Sequence, residues 1–148
     1  MPPKRVKKAI ILVIEDYGDS REMLRLLLES LGYSVLPAAN GDEALAVAAS
    51  NHVDLILTDL GLPGMDGITV VRRLRRLSDR LKQVPIIMLS AFDGDEYSHA
   101  AYSAGCSEFL TKPIDVDRLH GMMERLLSEV CNDQEDTPNG VQFRESWK

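Results

Sequence analysis

Residues 9–16 read Ala9-Ile10-Ile11-Leu12-Val13-Ile14-Glu15-Asp16, six apolar side chains in a row closed by two acids. A run of that length, rich in Ile, Leu and Val, suits a strand buried on both faces and falls far short of the roughly 18 residues a membrane helix needs. Further strand segments are read at Val53–Leu57, Val84–Leu89 and Glu108–Leu110, with another at Tyr33–Leu36. Between them lie stretches of helical period, such as Met23, Leu24, Leu27, Leu28 and Leu31, or Ala44, Leu45, Val47 and Ala48. Strands and helices alternate five times. Parallel strands need crossovers and amphipathic helices supply them, so the pattern predicts a (βα)5 chain whose parallel sheet is covered on both faces.

Punctuation agrees with these boundaries. Gly32 follows the first helix, Asn40-Gly41-Asp42 opens the second, Gly105 ends the fourth and Asp115 is the expected N-cap of the fifth. Residues 1–8 read as a flexible basic arm, 9–131 as one domain and 132–148, with Pro138-Asn139-Gly140, as a tail too short for a second core. The formal charge of −6 hides an asymmetry: four positive charges in 1–8 and a net −2 in 132–148 leave −8 for residues 9–131. An acidic body of this kind argues against direct nucleic-acid binding and suits a divalent cation. Cys106 and Cys131 form no CxxC pair and share no metal-ligand spacing with His52, His99 and His120, so free thiols in a reducing cytoplasm are expected.

In a parallel α/β sheet the strand C-termini share one rim, and ligands bind there. The first strand is followed by Glu15-Asp16, the third by Thr58-Asp59, the fourth by Ser90-Ala91 and the fifth by Thr111-Lys112-Pro113. Taken singly, each has an ordinary explanation: Asp16 as a helix cap, Asp59 as the start of a turn, Lys112 as a solvated loop cation. Together, three carboxylates on adjacent strand ends repel one another unless a cation compensates them. A Mg2+ ion, which takes oxygen ligands and keeps several waters, would do so with the lysine nearby. Phosphate chemistry is the natural use of such a rim.

With these residues in place, the chain resembles the receiver (response regulator) domain of two-component signalling, of the stand-alone chemotaxis type, over residues 9–131. The motifs are LVIED, LILTDLGLPGMDG, PIIML followed by Ser90-Ala91, and EFLTKP, in order and each ending a strand. The resemblance implies a flavodoxin-like, doubly wound five-stranded sheet of order 2-1-3-4-5. It implies Asp59 as phosphoacceptor and Asp16 as a direct Mg2+ ligand, with Glu15 acting on the ion through water and Gly61 through its backbone carbonyl. It further implies Lys112, Ser90 and Ala91 around the phosphoryl group, Ser90 and Phe109 as the switch pair, and a cis peptide before Pro113. Glu15 stands where the family more often has Asp, and Phe109 lacks the hydroxyl of a Tyr. The implied partners are a sensor histidine kinase or phosphotransfer protein upstream, and downstream a protein effector docking on Asp95–Gly105, Ser107–Thr111 and Asp115–Val130. A homodimer stays open, and no membrane contact is implied.

Rival readings are weaker. A haloacid-dehalogenase-type phosphatase needs a second Asp two positions after its nucleophile, where this chain has Gly61, so no turnover enzyme is expected. No GxxxxGK[ST] loop is present. A degenerate receiver that only docks partners is the alternative. Arg72, Arg73, Arg75, Arg76 and Arg80 are read as the solvated face of a helix whose buried side is marked by Leu74, Leu77 and Leu81.

Overall fold

The computed structural model describes residues 8–92 and 94–135, with side chains described through residue 129. The strands are β1 (Ile10–Ile14), β2 (Ser34–Ala38), β3 (Leu55–Asp59), β4 (Ile86–Ser90) and β5 (Glu108–Thr111). The helices are α1 (Gly18–Ser30), α2 (Gly41–Ser50), α3 (Gly67–Leu77), α4 (Asp95–Ala104) and α5 (Val116–Glu135), with a 3-10 turn at Arg80–Lys82. All pairings are parallel and the strand order is β2-β1-β3-β4-β5. This is the flavodoxin-like (βα)5 sheet the sequence implied. Among the described residues no helix is long and apolar enough to cross a membrane.

Successive strand residues face opposite sides of a sheet, so a strand buried at every position must be covered on both faces. Ile11 to Ile14 are each at most 1% exposed, and Leu55, Ile56 and Leu57, like Ile86, Ile87 and Met88, are fully buried. One core gathers Leu12, Ile14, Ile56, Ile86 and Met88 with Ala44, Ala48, Val70, Val71, Leu74 and Ala101 from α2, α3 and α4. The alternate residues, Ile11, Val13, Leu55, Leu57, Ile87 and Leu89, are equally buried, and α1 contributes Leu24 and Leu28 to the buried set. β2 lies at an edge and admits the exposed Pro37 opposite Val13, where a missing N–H is tolerated.

The chain divides into two compact units after Ile114. The second begins with Asp115, whose Oδ1 accepts from the N–H of Arg118 as the expected cap. In α5 the buried positions are Leu119, Met123 and Leu126, spaced as one helical face. The helix runs through Glu135, four residues into the segment expected as tail, because neither Asn132 nor Asp133 breaks a helix as Pro138 would. The expected arm, apart from Lys8, and the rest of the expected tail lie outside the described residues.

Other expectations need correcting. Leu77, the last residue of α3, is 40% exposed, and the buried side of that helix is Val70, Val71 and Leu74. Nor are the arginines all solvated. Arg72, Arg73 and Arg76 are exposed, but Arg75 is only partly so. Its Nε and Nη2 donate to the Gly105 carbonyl at 3.0 and 2.7 Å, while Nη1 donates to the carbonyls of Leu81 and Val84. Gly105, at φ +120°, leaves the Cβ space that the Arg75 side chain occupies, since a Cβ there would stand 3.0 Å from Arg75 Cγ. Arg80 donates to the carbonyls of Val53 and Asn51.

Candidate functional site

Asp59 and Ser90 close their strands instead of following them. Pairing continues past the apolar runs, with Asp59 opposite Leu89 and Ser90 opposite Thr111, and with the N–H groups of Leu60 and Lys112 donating to the carbonyls of Leu89 and Ser90. Backbone ladders do not read side-chain polarity, so the polar residues ride on rigid strand ends.

The β1–α1 turn carries Glu15 and Asp16, whose roles differ in exposure: Glu15 is 4% exposed and Asp16 is exposed. Asp16 does not cap α1. That position is held by Tyr17, which makes no side-chain cap. Glu15 Oε2 accepts from the N–H of Tyr17 at 3.2 Å. One carboxylate oxygen from each of Glu15, Asp16 and Asp59 lies within 4.8 Å of the other two. Lys112 Nζ stands 3.3 Å from Asp59 Oδ1 and 3.5 Å from Glu15 Oε1. The structure therefore brings all three acids and the lysine together. The donor set is oxygen only and carries three formal negative charges against one positive, which fits a hard divalent cation such as Mg2+.

Burial pushes the Glu15 carboxyl above the ordinary range; the Tyr17 N–H bond lowers it, the Asp59 charge raises it further and Lys112 pulls it back. Burial is the main cause, and the like charge of Asp59 is the part that a bound cation would offset.

The β3–α3 loop follows Asp59. Leu60 O accepts from the N–H groups of Leu62 and Gly67, and Asp66 Oδ1 caps α3 through the N–H of Thr69 at 2.8 Å. Gly61 is exposed with open space around its Cα, so a side chain there would meet nothing. Gly67 is the opposite case: a Cβ would stand 2.3 Å from the Asp59 carbonyl oxygen. Its role was not legible, since the letters Gly61 and Gly67 look alike.

Ser90 is fully buried, and its hydroxyl is closed into a local turn, donating to Phe92 O at 2.9 Å and accepting from Phe92 N at 2.8 Å. Ala91 and Phe92 are exposed, and Phe92 stacks on Tyr97 with ring centroids 5.1 Å apart. Phe109, opposite Met88, is partly buried and already packs against the core. The Lys112–Pro113 peptide bond is cis. Arg21, which sequence reasoning passed over, reaches from α1 to the carbonyls of Glu15 and Asp16.

A sequence profile described as the response regulator receiver domain matches residues 11–124. The DNA-binding dual master transcriptional regulator RpaA of Synechocystis is 36% identical over 117 residues, covering 79% of this chain and 48% of that protein. The chain spans between 27% and 56% of the length of the curated relatives it matches. Among solved structures, the chemotaxis protein CheY4 of Vibrio cholerae superposes with a TM-score of 0.77 at 31% identity, over 81% of this chain and 99% of that one. The receiver domain of a sensor histidine kinase from Pseudomonas aeruginosa gives 0.76 at 30% identity over 82% and 99%, and it holds a magnesium ion coordinated in its active-site cleft.

Proposed function

The chain belongs to the response regulator receiver family, and from that premise we propose that Asp59 takes a phosphoryl group from the phosphohistidine of a sensor histidine kinase or phosphotransfer protein and thereby switches a protein-interaction surface. The observation that carries this reading is the Glu15, Asp16 and Asp59 cluster with Lys112 Nζ at 3.3 Å from Asp59.

An Asp59 carboxylate oxygen attacks phosphorus, the P–N bond of the donor breaks, and its electron pair leaves with the imidazole. The product is an acyl phosphate. Lys112 meets the charge that spreads over the transferring oxygens, a preorganised electrostatic contribution in a partly water-shielded site. Glu15, Asp16, Asp59 and the Gly61 carbonyl are the groups that would hold Mg2+, which when bound neutralises the same oxygens. Hydrolysis by water later returns the carboxylate and releases inorganic phosphate. With Gly61 where a phosphatase carries its second acid, the chain has no side chain there for multiple-turnover acid–base catalysis.

The readout uses α4 and β5. A phosphoryl oxygen competes for the Ser90 hydroxyl now spent on Phe92, and Phe109 responds to its displacement. The charge of −8 on residues 9–131 supports a protein, and not a nucleic acid, as what this segment docks. The stand-alone chemotaxis-type version of the reading draws on CheY4, nearly all of which this chain covers. The DNA-binding relatives, of which it covers half or less, support a version with a separate output domain. The free, buried thiol of Cys106 supports a cytoplasmic setting.

Intact mass spectrometry after acetyl phosphate treatment, with and without Mg2+, tests the proposal. Wild type should gain the mass of one phosphoryl group only with Mg2+, and Asp59→Asn should gain none. A wild-type protein that gains nothing from acetyl phosphate or from any histidine kinase would transfer the reading to a docking module.

A further inference from the structure

We propose that Arg21 is a positioning residue for the acidic site, its guanidinium holding the turn that carries Glu15 and Asp16 so that both carboxylates stand ready for a divalent cation. The proposal rests on the receiver reading above.

Arg21 Nη1 donates to the carbonyl of Glu15 at 2.8 Å and to that of Asp16 at 3.3 Å. The target atoms matter. An arginine paired with the carboxylates would occupy the lone pairs a cation needs and would neutralise the site. Donation to the backbone carbonyls restrains the same two residues and takes up none of their carboxylate oxygens. Both bonds leave one nitrogen, Nη1, which lies one bond further from the backbone than a lysine Nζ would, so a lysine reaches the two carbonyls less well.

The turn needs such a restraint. It places two acids beside a third, and like charges at this spacing push the segment apart. α1 supplies no side-chain N-cap here, because Tyr17 occupies that position without one. On the strand side the Glu15 N–H is tied to Ala38 O, and beyond it the Glu15 Oε2 bond to Tyr17 N–H joins the Arg21 contacts.

A purely helical role for Arg21 is disfavoured by its place. Its own N–H bonds Tyr17 O, which puts it in the first turn of α1, where the helix dipole disfavours a cation. The side chain is partly buried and directed back over the turn instead of along the helix.

The test uses the full chain as wild type, Arg21→Met and Arg21→Lys. Mg2+ affinity is measured by calorimetric titration with the ion alone, and the rate of acetyl phosphate labelling is followed against Mg2+ concentration. Loss of an outer-shell support typically weakens metal binding by about 10–100-fold, so Arg21→Met should raise the Mg2+ half-saturation by that factor while the rate at saturating Mg2+ stays close to wild type. Arg21→Lys, which keeps a donor, should fall between. Melting without Mg2+ separates this from a general loss of structure. An unchanged Mg2+ midpoint in Arg21→Met, or a fall in saturating rate and melting temperature with no midpoint shift, overturns the assignment. Where Arg21→Met does not fold, the Arg21→Lys midpoint decides alone, a clear rise supporting the role and an unchanged value overturning it. A wild type that neither binds Mg2+ nor takes phosphate overturns the receiver reading itself, which is thereby distinguished from a competent wild type beside an unaltered Arg21→Met.

Discussion

Gly67→Ala adds a single methyl group at the first residue of α3, and the structure says what that methyl meets. Its Cβ would lie 2.3 Å from the Asp59 carbonyl oxygen, 2.9 Å from Leu60 Cα and 3.1 Å from the Asp59 carbonyl carbon. All three are backbone atoms, so no side chain can rotate away. A relaxed carbon–oxygen contact needs roughly 3.3 Å, so α3 and the end of β3 must separate by about 1 Å. Overpacking of that kind costs roughly 1–3 kcal/mol, partly offset by the ~0.4–1 kcal/mol gained when alanine replaces glycine at an ordinary φ. At about 2–4 °C per kcal/mol for a chain of this size, the melting temperature should fall by several degrees. The displaced strand end carries the Asp59 side chain, and a misplacement of ~1 Å can cost on the order of a hundredfold in rate, so acetyl phosphate labelling should slow far more than the stability loss alone explains. Gly61→Ala is the control, because its Cβ meets nothing within 4 Å and it is not among the positive-φ glycines. Thermal unfolding and intact-mass labelling of both variants check the argument. A Gly67→Ala protein that melts and labels like wild type, or a Gly61→Ala protein destabilised as much, would refute it.

Arg75→Met removes the donors to Gly105, Leu81 and Val84 and should cost roughly 2–4 kcal/mol by urea unfolding, whereas Arg72→Met on the exposed face should stay within about 0.5 kcal/mol; equal effects would refute the difference. Burial pushes the Cys106 thiol up to about 12. An unfolded thiol near 8.5 releases its proton first, so this contribution to stability is intact below that pH and is lost as pH rises toward 12, about 2 kcal/mol by pH 10. Urea midpoints at pH 8 and 10 should show the extra loss in wild type and not in Cys106→Ala. Ser90→Ala should still accept phosphate on Asp59 but weaken its transmission, since the hydroxyl that would leave Phe92 is gone; amide exchange across residues 95–111 that changes on phosphorylation as much in Ser90→Ala as in wild type would sink that switch.

What the sequence made legible follows from how far apart the deciding atoms are. The buried strands announce themselves because each apolar run is local, and the acids were found because they stand where those runs end. The edge strand β2 runs two residues past Leu36, through Pro37, a residue type a sheet interior excludes and an edge position admits. Five arginines in and just after α3 carry the same letter and helical phase cannot rank them: Arg75 differs from Arg72, Arg73 and Arg76 because a carbonyl thirty residues away, at Gly105, faces it. Gly67 differs from Gly61 because the β3 backbone passes beneath it. Arg21 was overlooked for the converse reason. It lies close in sequence to Glu15 and Asp16, but its partners are their carbonyls, and a backbone carbonyl is the one acceptor every residue carries. Side-chain chemistry at the rim could thus be read from residue types, whereas the groups that hold the rim in place act on backbone atoms that residue types do not distinguish. Substitutions at Gly67, Arg75 and Arg21 are therefore where stability, strand placement and metal affinity separate from one another.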